Sequence, residues 1–318
     1  MRGLLALMVV CVVSHCASCD EDIYTLMDKV LVLRVPHGPR NTSHVLLVCG
    51  EAYKDQDVFW KKDGQSTRYV GNQVNVTVEE MVAGNFSCHL GQDGRYLNHT
   101  LLLVQFKPDN KPILLNNISD SSDAKHILCS GHNYSGSFNC RWSKARPHAT
   151  VLLVEAVRNS SAMACDLEAD GLGVWCNERT CGRPEERHLI QFKLCISSNS
   201  RLEVYTAEFN LREIVSPRCV TDLREEKVNE FRWAEPEHWE EPCSYYKVQY
   251  EVKRVAHQAS CQDPPLKEEA QIIDEKTFTV PVKPKKYVFC VRARDKFTGG
   301  PWGEWSALAG GSKRQGNN

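Results

Sequence analysis

Two arginines and two tryptophans near the C-terminus have the chemistry to bind one another. Arg292 and Arg294 lie two apart in Tyr287-Val288-Phe289-Cys290-Val291-Arg292-Ala293-Arg294, and Trp302 and Trp305 lie three apart in Trp302-Gly303-Glu304-Trp305-Ser306. A planar guanidinium stacks on an indole face by cation–π attraction, at about 0.5–2 kcal/mol per contact. Stacking requires both arginines on one face of an extended strand, with the indoles alongside. Alternation predicts that strand: Tyr287, Phe289, Val291 and Ala293 facing a core, with Arg292 and Arg294 on the opposite face. An edge strand with two solvated arginines would alternate in the same way.

Cysteine and asparagine supply the remaining chemistry. The chain of 318 residues opens on Arg2 and the apolar run Leu4–Val13, followed by Cys16-Ala17-Ser18-Cys19 and the acids Asp20, Glu21 and Asp22. This reads as a secretory signal peptide over residues 1–19, cleaved near Ser18 or Cys19, with a core too short to span a bilayer. Three of the 15 cysteines fall in that leader, leaving twelve for an oxidising compartment where disulfides persist. Spacing and strand order suggest the pairs Cys49–Cys88, Cys129–Cys140, Cys165–Cys176, Cys219–Cys243 and Cys261–Cys290. Cys181 and Cys195 remain, either paired together or with Cys181 kept for another chain. Outside the leader no short CxxC pair survives, so neither a metal site nor a cofactor is expected. Seven Asn-x-Ser/Thr sequons, at Asn41, Asn75, Asn85, Asn98, Asn117, Asn133 and Asn159, fit the secretory route.

His238 stands among Glu237, Glu240 and Glu241, a grouping that could hold a metal or act as a base. Its place in a predicted loop reads better as a solvated acidic turn, and no hydrolase, P-loop or zinc-protease signature appears, so no enzyme is expected. A net charge of −1 implies no nucleic-acid partner and no pull toward anionic membrane, and Lys283-Pro284-Lys285-Lys286 reads as a solvated turn. No segment beyond the leader is apolar enough to span a membrane, and residues 311–318 read as a flexible polar tail. A secreted, extracellular chain without a membrane anchor is expected.

The elements that must position these residues are short strands with turns between them, an all-β fold of three tandem β-sandwich domains. Residues 20–106 read as an immunoglobulin-like domain. Cys49, Trp60 and Cys88 have the order in which a disulfide joins two sheets and an indole packs on it, and Phe86 stands where a tyrosine is usual. The stretch Phe106–Pro112 reads as a linker. Residues 107–215 read as a fibronectin type III-like domain carrying Cys129-x10-Cys140-x-Trp142, with Asn133-Tyr134-Ser135-Gly136 as the turn and a long cysteine-rich loop between Cys165 and Cys181. Residues 216–310 read as a second such domain, with strands at Glu230–Trp233, Tyr245–Val252, Phe278–Val280 and Tyr287–Arg294.

The Trp302–Ser306 pentapeptide is one residue short of the WSxWS box of class I cytokine receptors, with Gly303 where the first serine would stand. With the Asn133–Trp142 hairpin and the Val291–Asp295 strand, it makes the chain similar to the beta-subunit family of interleukin-12 and interleukin-23, as a divergent or lower-vertebrate paralogue. That resemblance implies a soluble receptor-like chain holding a four-helix cytokine alpha subunit at the elbow of its second and third domains. The heterodimer, disulfide-linked, would then engage a cell-surface class I cytokine receptor. Carried over by motif, Tyr134, Tyr245, Asp295 and Phe297 form the elbow surface, Asp295 pairing with a partner arginine, and Cys181 is the interchain cysteine. Trp302, Trp305 and Ser306 with Arg292 and Arg294 form the box and its ladder. Three departures stand out. Gly303 is expected to weaken the box by losing a hydroxyl, Phe297 replaces a tyrosine, and no cysteine follows Cys290. The rival resemblance is to soluble alpha-type receptors for interleukin-6 or ciliary neurotrophic factor, which take an exogenous ligand rather than a constitutive partner.

Overall fold

A computed structural model describes residues 22–36, 43–78, 82–91, 94–107, 111–116, 125–178, 187–239, 247–266, 270–281 and 286–310. The chain divides into two compact units, one of residues 1–110 with Asn199–Leu202, the other of Lys111–Ser198 with Glu203–Asn318.

The described residues of the first unit form eight strands: β1 (Ile23–Met27), β2 (Val30–Pro36), β3 (Ser43–Val48), β4 (Val58–Lys62), β5 (Gln65–Val70), β6 (Gln73–Val78), β7 (Gly84–Leu90) and β8 (Arg95–Lys107). Strand β2 pairs with β1 and runs parallel to β8, and the sheet continues through β7 and β4 to β5. Strands β3 and β6 form a separate antiparallel pair. Alternation of side chains decides the faces: Val74, Val76 and Val78 of β6 are buried while Gln73, Asn75 and Thr77 are exposed. The Cys49–Cys88 disulfide ties the end of β3 to β7 across a Cα–Cα distance of 5.9 Å. Trp60 and Phe86 are buried in the same core, and the Trp60 indole N–H donates to the Gly71 carbonyl at 2.9 Å.

The second unit begins with β9 (Ile127–Ser130), β10 (Ser137–Trp142), β11 (Thr150–Arg158), β12 (Ser161–Ala162), β13 (Ala164–Leu167), β14 (Gly173–Asn177), β15 (Ile190–Ser198) and β16 (Arg201–Phe209). Its sheets have the orders β13-β14-β10-β9 and β12-β11-β15-β16. The expected loop after Cys165 is largely a hairpin: β13 and β14 pair with Cys165 opposite Cys176. Strands of four and five residues alternate too briefly to be read from sequence, and Gly171, at φ 64°, makes the turn. Disulfides join directly opposed residues here, Cys129–Cys140 and Cys165–Cys176, with Cα–Cα distances of 4.0 and 4.1 Å.

After a single helical turn, α1 (Leu211–Ile214), come β17 (Val220–Lys227), β18 (Glu230–Pro236), β19 (Val248–Ala256), β20 (Gln271–Ile273), β21 (Thr277–Thr279), β22 (Tyr287–Asp295) and β23 (Ser306–Gly310). These form a three-stranded sheet, β17-β18-β21, and a four-stranded sheet, β20-β19-β22-β23. One buried cluster runs from Phe138, Trp142 and Phe192 through Leu211 and Val215 to Trp233, Trp239, Tyr250 and Phe289. The two sandwiches of this unit therefore share a continuous core at their junction.

Two cysteine expectations are corrected. Cys195 and Cys219 are free thiols, so neither Cys219–Cys243 nor Cys181–Cys195 forms. Cys195 is fully buried inside β15, and the Cys219 sulfur lies 3.5 Å from the Glu304 carboxylate and 3.7 Å from the Trp305 carbonyl. Burial pushes both thiols above their ordinary pKa. The Cys261–Cys290 bond is present, with a Cα–Cα distance of 5.8 Å. Cys243 and Cys181 lie outside the described residues, as do the leader and residues 311–318.

Candidate partner-binding site

The third sandwich is held on one face by a stack of cations and indoles. Strands β19 and β22 pair from Val248 opposite Asp295 to Ala256 opposite Tyr287, which sets Gln249 against Arg294 and Glu251 against Arg292. The Arg292 guanidinium lies 4.3 Å from the Trp305 ring centroid and 5.2 Å from that of Trp302, and Arg294 lies 4.3 Å from Trp302. Lys253 extends the stack, its ammonium 4.6 Å from Trp305. The order is thus Lys253, Trp305, Arg292, Trp302, Arg294. Glu251 accepts from Arg292 Nε at 2.5 Å, and Gln249 accepts from Arg294 Nε and Nη2 at 3.0 and 2.9 Å. These bonds fix each guanidinium plane.

Lys253 was not expected in the ladder. Its signal was present in Gln249, Glu251 and Lys253, three polar side chains at i, i+2 and i+4 on the neighbouring strand. Burial lowers the Lys253 pKa below the ordinary lysine value, with the Glu251 carboxylate opposing and Arg292 adding to the shift. Ser306 closes the box by donating to the Val220 carbonyl at 3.3 Å.

Gly303 leaves no space for the serine of the box. Its N–H donates to the Ala293 carbonyl at 2.7 Å, and a Cβ at this position would stand 2.1 Å from the Pro217 carbonyl oxygen. The box has glycine here because the backbone of the preceding linker passes too close for a side chain.

At the junction of the two sandwiches, the Asn133–Gly136 turn drives Tyr134 inward. Asn133 Oδ1 accepts the Ser135 N–H at 3.0 Å, and Gly136 takes φ 92° with the Glu178 carbonyl 2.9 Å from where a Cβ would lie. Tyr134 is buried, packs edge-on to Trp239 with centroids 5.9 Å apart, and donates its hydroxyl to Asp295 Oδ2 at 2.5 Å. Asp295 is 0% exposed, and its other oxygen accepts the N–H groups of Phe297 and Thr298 at 2.7 and 3.1 Å.

Sequence reasoning expected Asp295 to face a partner; within this chain alone its carboxylate is enclosed. The signal for that was local, an aspartate opening a turn, where a carboxylate commonly accepts the amides two and three residues on. Phe297, by contrast, is 79% exposed. It borders a hollow of about 590 Å³ lined also by Arg212, Glu213, Thr298, Gly300 and Pro301.

Backbone bonds fasten the junction. Gly131 N–H donates to Ile214 at 3.0 Å, Ser216 N–H donates to Gly131 at 2.8 Å, and the Asn133 amide donates to the His238 carbonyl at 3.1 Å. His238 itself is exposed on a left-handed turn residue, its ring 3.4 Å from Glu237. Among the described residues no group of three or more histidine, cysteine or acidic side chains is placed to hold a metal. No helix among them is long and apolar enough to cross a membrane.

Of the sequons, Asn75, Asn85 and Asn159 are exposed. Asn98 and Asn133 are half-buried, and the Asn98 amide donates to the Cys49 carbonyl at 2.8 Å. Asn41, Asn117 and the elbow candidate Tyr245 lie outside the described residues.

Tandem sandwiches, a cross-strand disulfide hairpin and an arginine–tryptophan ladder define a modular all-β chain. Residues 124–198 match the family model described as cytokine interleukin-12p40 C-terminus. The chain is 24% identical over 313 residues to interleukin-12 subunit beta of Homo sapiens and to that of Papio anubis, covering 90% of this chain and 92% of each relative. It is 26% identical over 318 residues to the Lama glama subunit, covering 90% and 93%. Over nine-tenths of its length the chain is thus similar to interleukin-12 beta subunits.

Proposed function

We propose that this chain is a secreted, non-catalytic beta subunit of an interleukin-12-type heterodimer, gripping a four-helix alpha subunit at the elbow of its second and third sandwiches. The observation that carries this reading is the elbow itself. Its backbone bonds and the Tyr134–Trp239–Asp295 contact join the two sandwiches, while Phe297 projects 79% exposed beside an open hollow. A hydrogen-bonded junction with one protruding aromatic beside a hollow suits a helical partner, because aromatic anchors carry much of an interface's energy. Cys181 serves as the interchain cysteine, and receptor engagement follows assembly.

The test is pull-down from secreting cells of a tagged chain co-expressed with a four-helix alpha subunit of the interleukin-12 type. Non-reducing and reducing denaturing gels should show one disulfide-linked band that separates on reduction. Cys181→Ser should leave the complex assembled in solution but separable on the non-reducing gel. Absence of a co-secreted helical chain, with capture only of an added ligand, would favour the soluble alpha-type receptor instead.

A further inference from the structure

We propose that Asn75 carries an N-linked oligosaccharide whose first sugar lies over an apolar stripe on the outer face of β3 and β6, closing that face of the first unit to other proteins. This needs the secretory route and is independent of the beta-subunit reading.

Strands β3 and β6 form a two-stranded antiparallel sheet with Leu46 directly opposite Asn75, Val48 opposite Gln73 and His44 opposite Thr77. Their inward residues, Val45, Leu47, Val74, Val76 and Val78, are buried in the core that holds the Cys49–Cys88 disulfide. The solvated face of such a sheet is ordinarily polar, and on β6 it is. On β3 it is not: Leu46 is 57% and Val48 39% exposed. Directly opposed residues of an antiparallel pair hold their Cβ atoms about 4.5–5.5 Å apart, so Asn75 stands beside Leu46 on the same face.

The strand period of two also puts Thr77, the hydroxyl residue of the Asn75-Val76-Thr77 sequon, on that face with Asn75. Asn75 itself is exposed. Asn98 differs: it is half-buried, its Nδ2 donates to the Cys49 carbonyl at 2.8 Å and its Oδ1 accepts the His99 N–H at 2.9 Å. A sugar on that nitrogen would have to displace a bond to the end of β3, whereas Asn75 opens onto solvent.

Glycosylation joins Asn75 Nδ2 to C1 of the terminal N-acetylglucosamine of a lipid-pyrophosphate-linked oligosaccharide. The N–C bond forms as the C1–O bond to phosphate breaks; the lipid pyrophosphate leaves and the amide nitrogen gives up one proton. A pyranose ring has a face of C–H groups, and laid on Leu46 that face removes aliphatic surface from water. The stripe suits a sugar better than a protein partner. It has no phenylalanine, tyrosine, tryptophan or arginine, the side chains that anchor protein interfaces, and the sequon stands opposite its most exposed residue. Each strand also has one edge unpaired among the described residues, and a bulky sugar beside it bars strand addition.

The experiment starts with the protein secreted from cells. Amidase deglycosylation in heavy-oxygen water, followed by peptide mass mapping, should show labelled aspartate at position 75 and unaltered Asn98. Stripping the glycans from the folded protein should raise its binding of an apolar fluorescent dye and its self-association in light scattering. Thr77→Ala, which removes the sequon and keeps Asn75, should show the same rise without treatment. Stripped Leu46→Thr should show no rise, which assigns the effect to the stripe rather than to the other glycans.

An unmodified Asn75, with or without modification of Asn98, overturns the proposal. So does unchanged dye binding in the stripped parent, or an equal rise in stripped Leu46→Thr. Protection of amides 44–48 by a bound protein in the glycosylated parent, read by hydrogen exchange, would make the stripe a docking surface and overturns it too.

Discussion

Gly303 shows how one atom decides a local sequence. The WSxWS pattern invites a serine there, yet its Cβ would lie 2.1 Å from the Pro217 carbonyl oxygen, a backbone atom that cannot swing aside. Gly303→Ser should therefore destabilise the chain by about 2 kcal/mol or more, the range for overpacking a tight site. Melting of the purified variant checks this, and a raised melting temperature would show that the linker backbone yields. The two free thiols differ in the same residue-level way. Cys219 is partly exposed and Cys195 fully buried, so brief alkylation of the native protein should modify Cys219 and spare Cys195, as read by peptide mass mapping. Equal labelling would mean that β15 opens readily.

At the scale of elements, β19 and β22 act together. Their register places Gln249, Glu251 and Lys253 beside the arginines, and the indoles from the Trp302–Ser306 segment slot between the cations. Trp305 carries the most contacts, stacking on Arg292 and Lys253 and packing on the Cys261–Cys290 cluster. Trp305→Ala should lower stability by about 2–4 kcal/mol, as for loss of a packed aromatic, and should reduce secretion. Denaturant unfolding of Trp305→Ala beside Lys253→Ala separates the ladder from the disulfide cluster: the lysine variant removes only the outer rung. Wild-type unfolding in Trp305→Ala would sink the ladder as a stabilising device.

At the scale of the whole molecule, pH response follows from what each core buries. Tyr287 donates to Asn229 Oδ1 at 2.7 Å inside the third sandwich, and burial pushes its pKa up from the ordinary 10 to about 12. Tyr250 is shifted upward as well, by burial and by the nearby Glu235 carboxylate. A folded-state pKa above the unfolded value contributes stability that is complete below pH 10 and is lost as pH rises through the folded value. The chain should therefore lose about 2–3 kcal/mol between pH 10 and 12 through Tyr287 alone. In Tyr287→Phe this part of the alkaline loss should vanish, while stability at neutral pH falls through loss of the bond to Asn229. Identical alkaline curves for the two proteins would place the titration elsewhere. Lys253 acts in the opposite sense, since its lowered pKa makes a destabilising contribution that is relieved as pH rises toward the unfolded lysine value.

Alternation of apolar and polar residues is a local property, and it was enough to foretell β22, with its core-facing Tyr287, Phe289, Val291 and Ala293 and its outward arginines. Disulfides between neighbouring strands, such as Cys129–Cys140, were legible for the same reason, because a short turn brings the two cysteines opposite. The elbow was not. Tyr134 and Asp295 stand 161 residues apart, and nothing in either segment states that the hydroxyl of one closes over the carboxylate of the other. Lys253 entering the ladder, the Pro217 carbonyl excluding a side chain at Gly303, and the unpaired Cys219 are likewise distances between remote segments. Sequence determined which faces each strand would bury; packing of strand against strand and sandwich against sandwich decided which polar groups would meet, since that depends on ångström-scale approach that no pattern of residue types encodes.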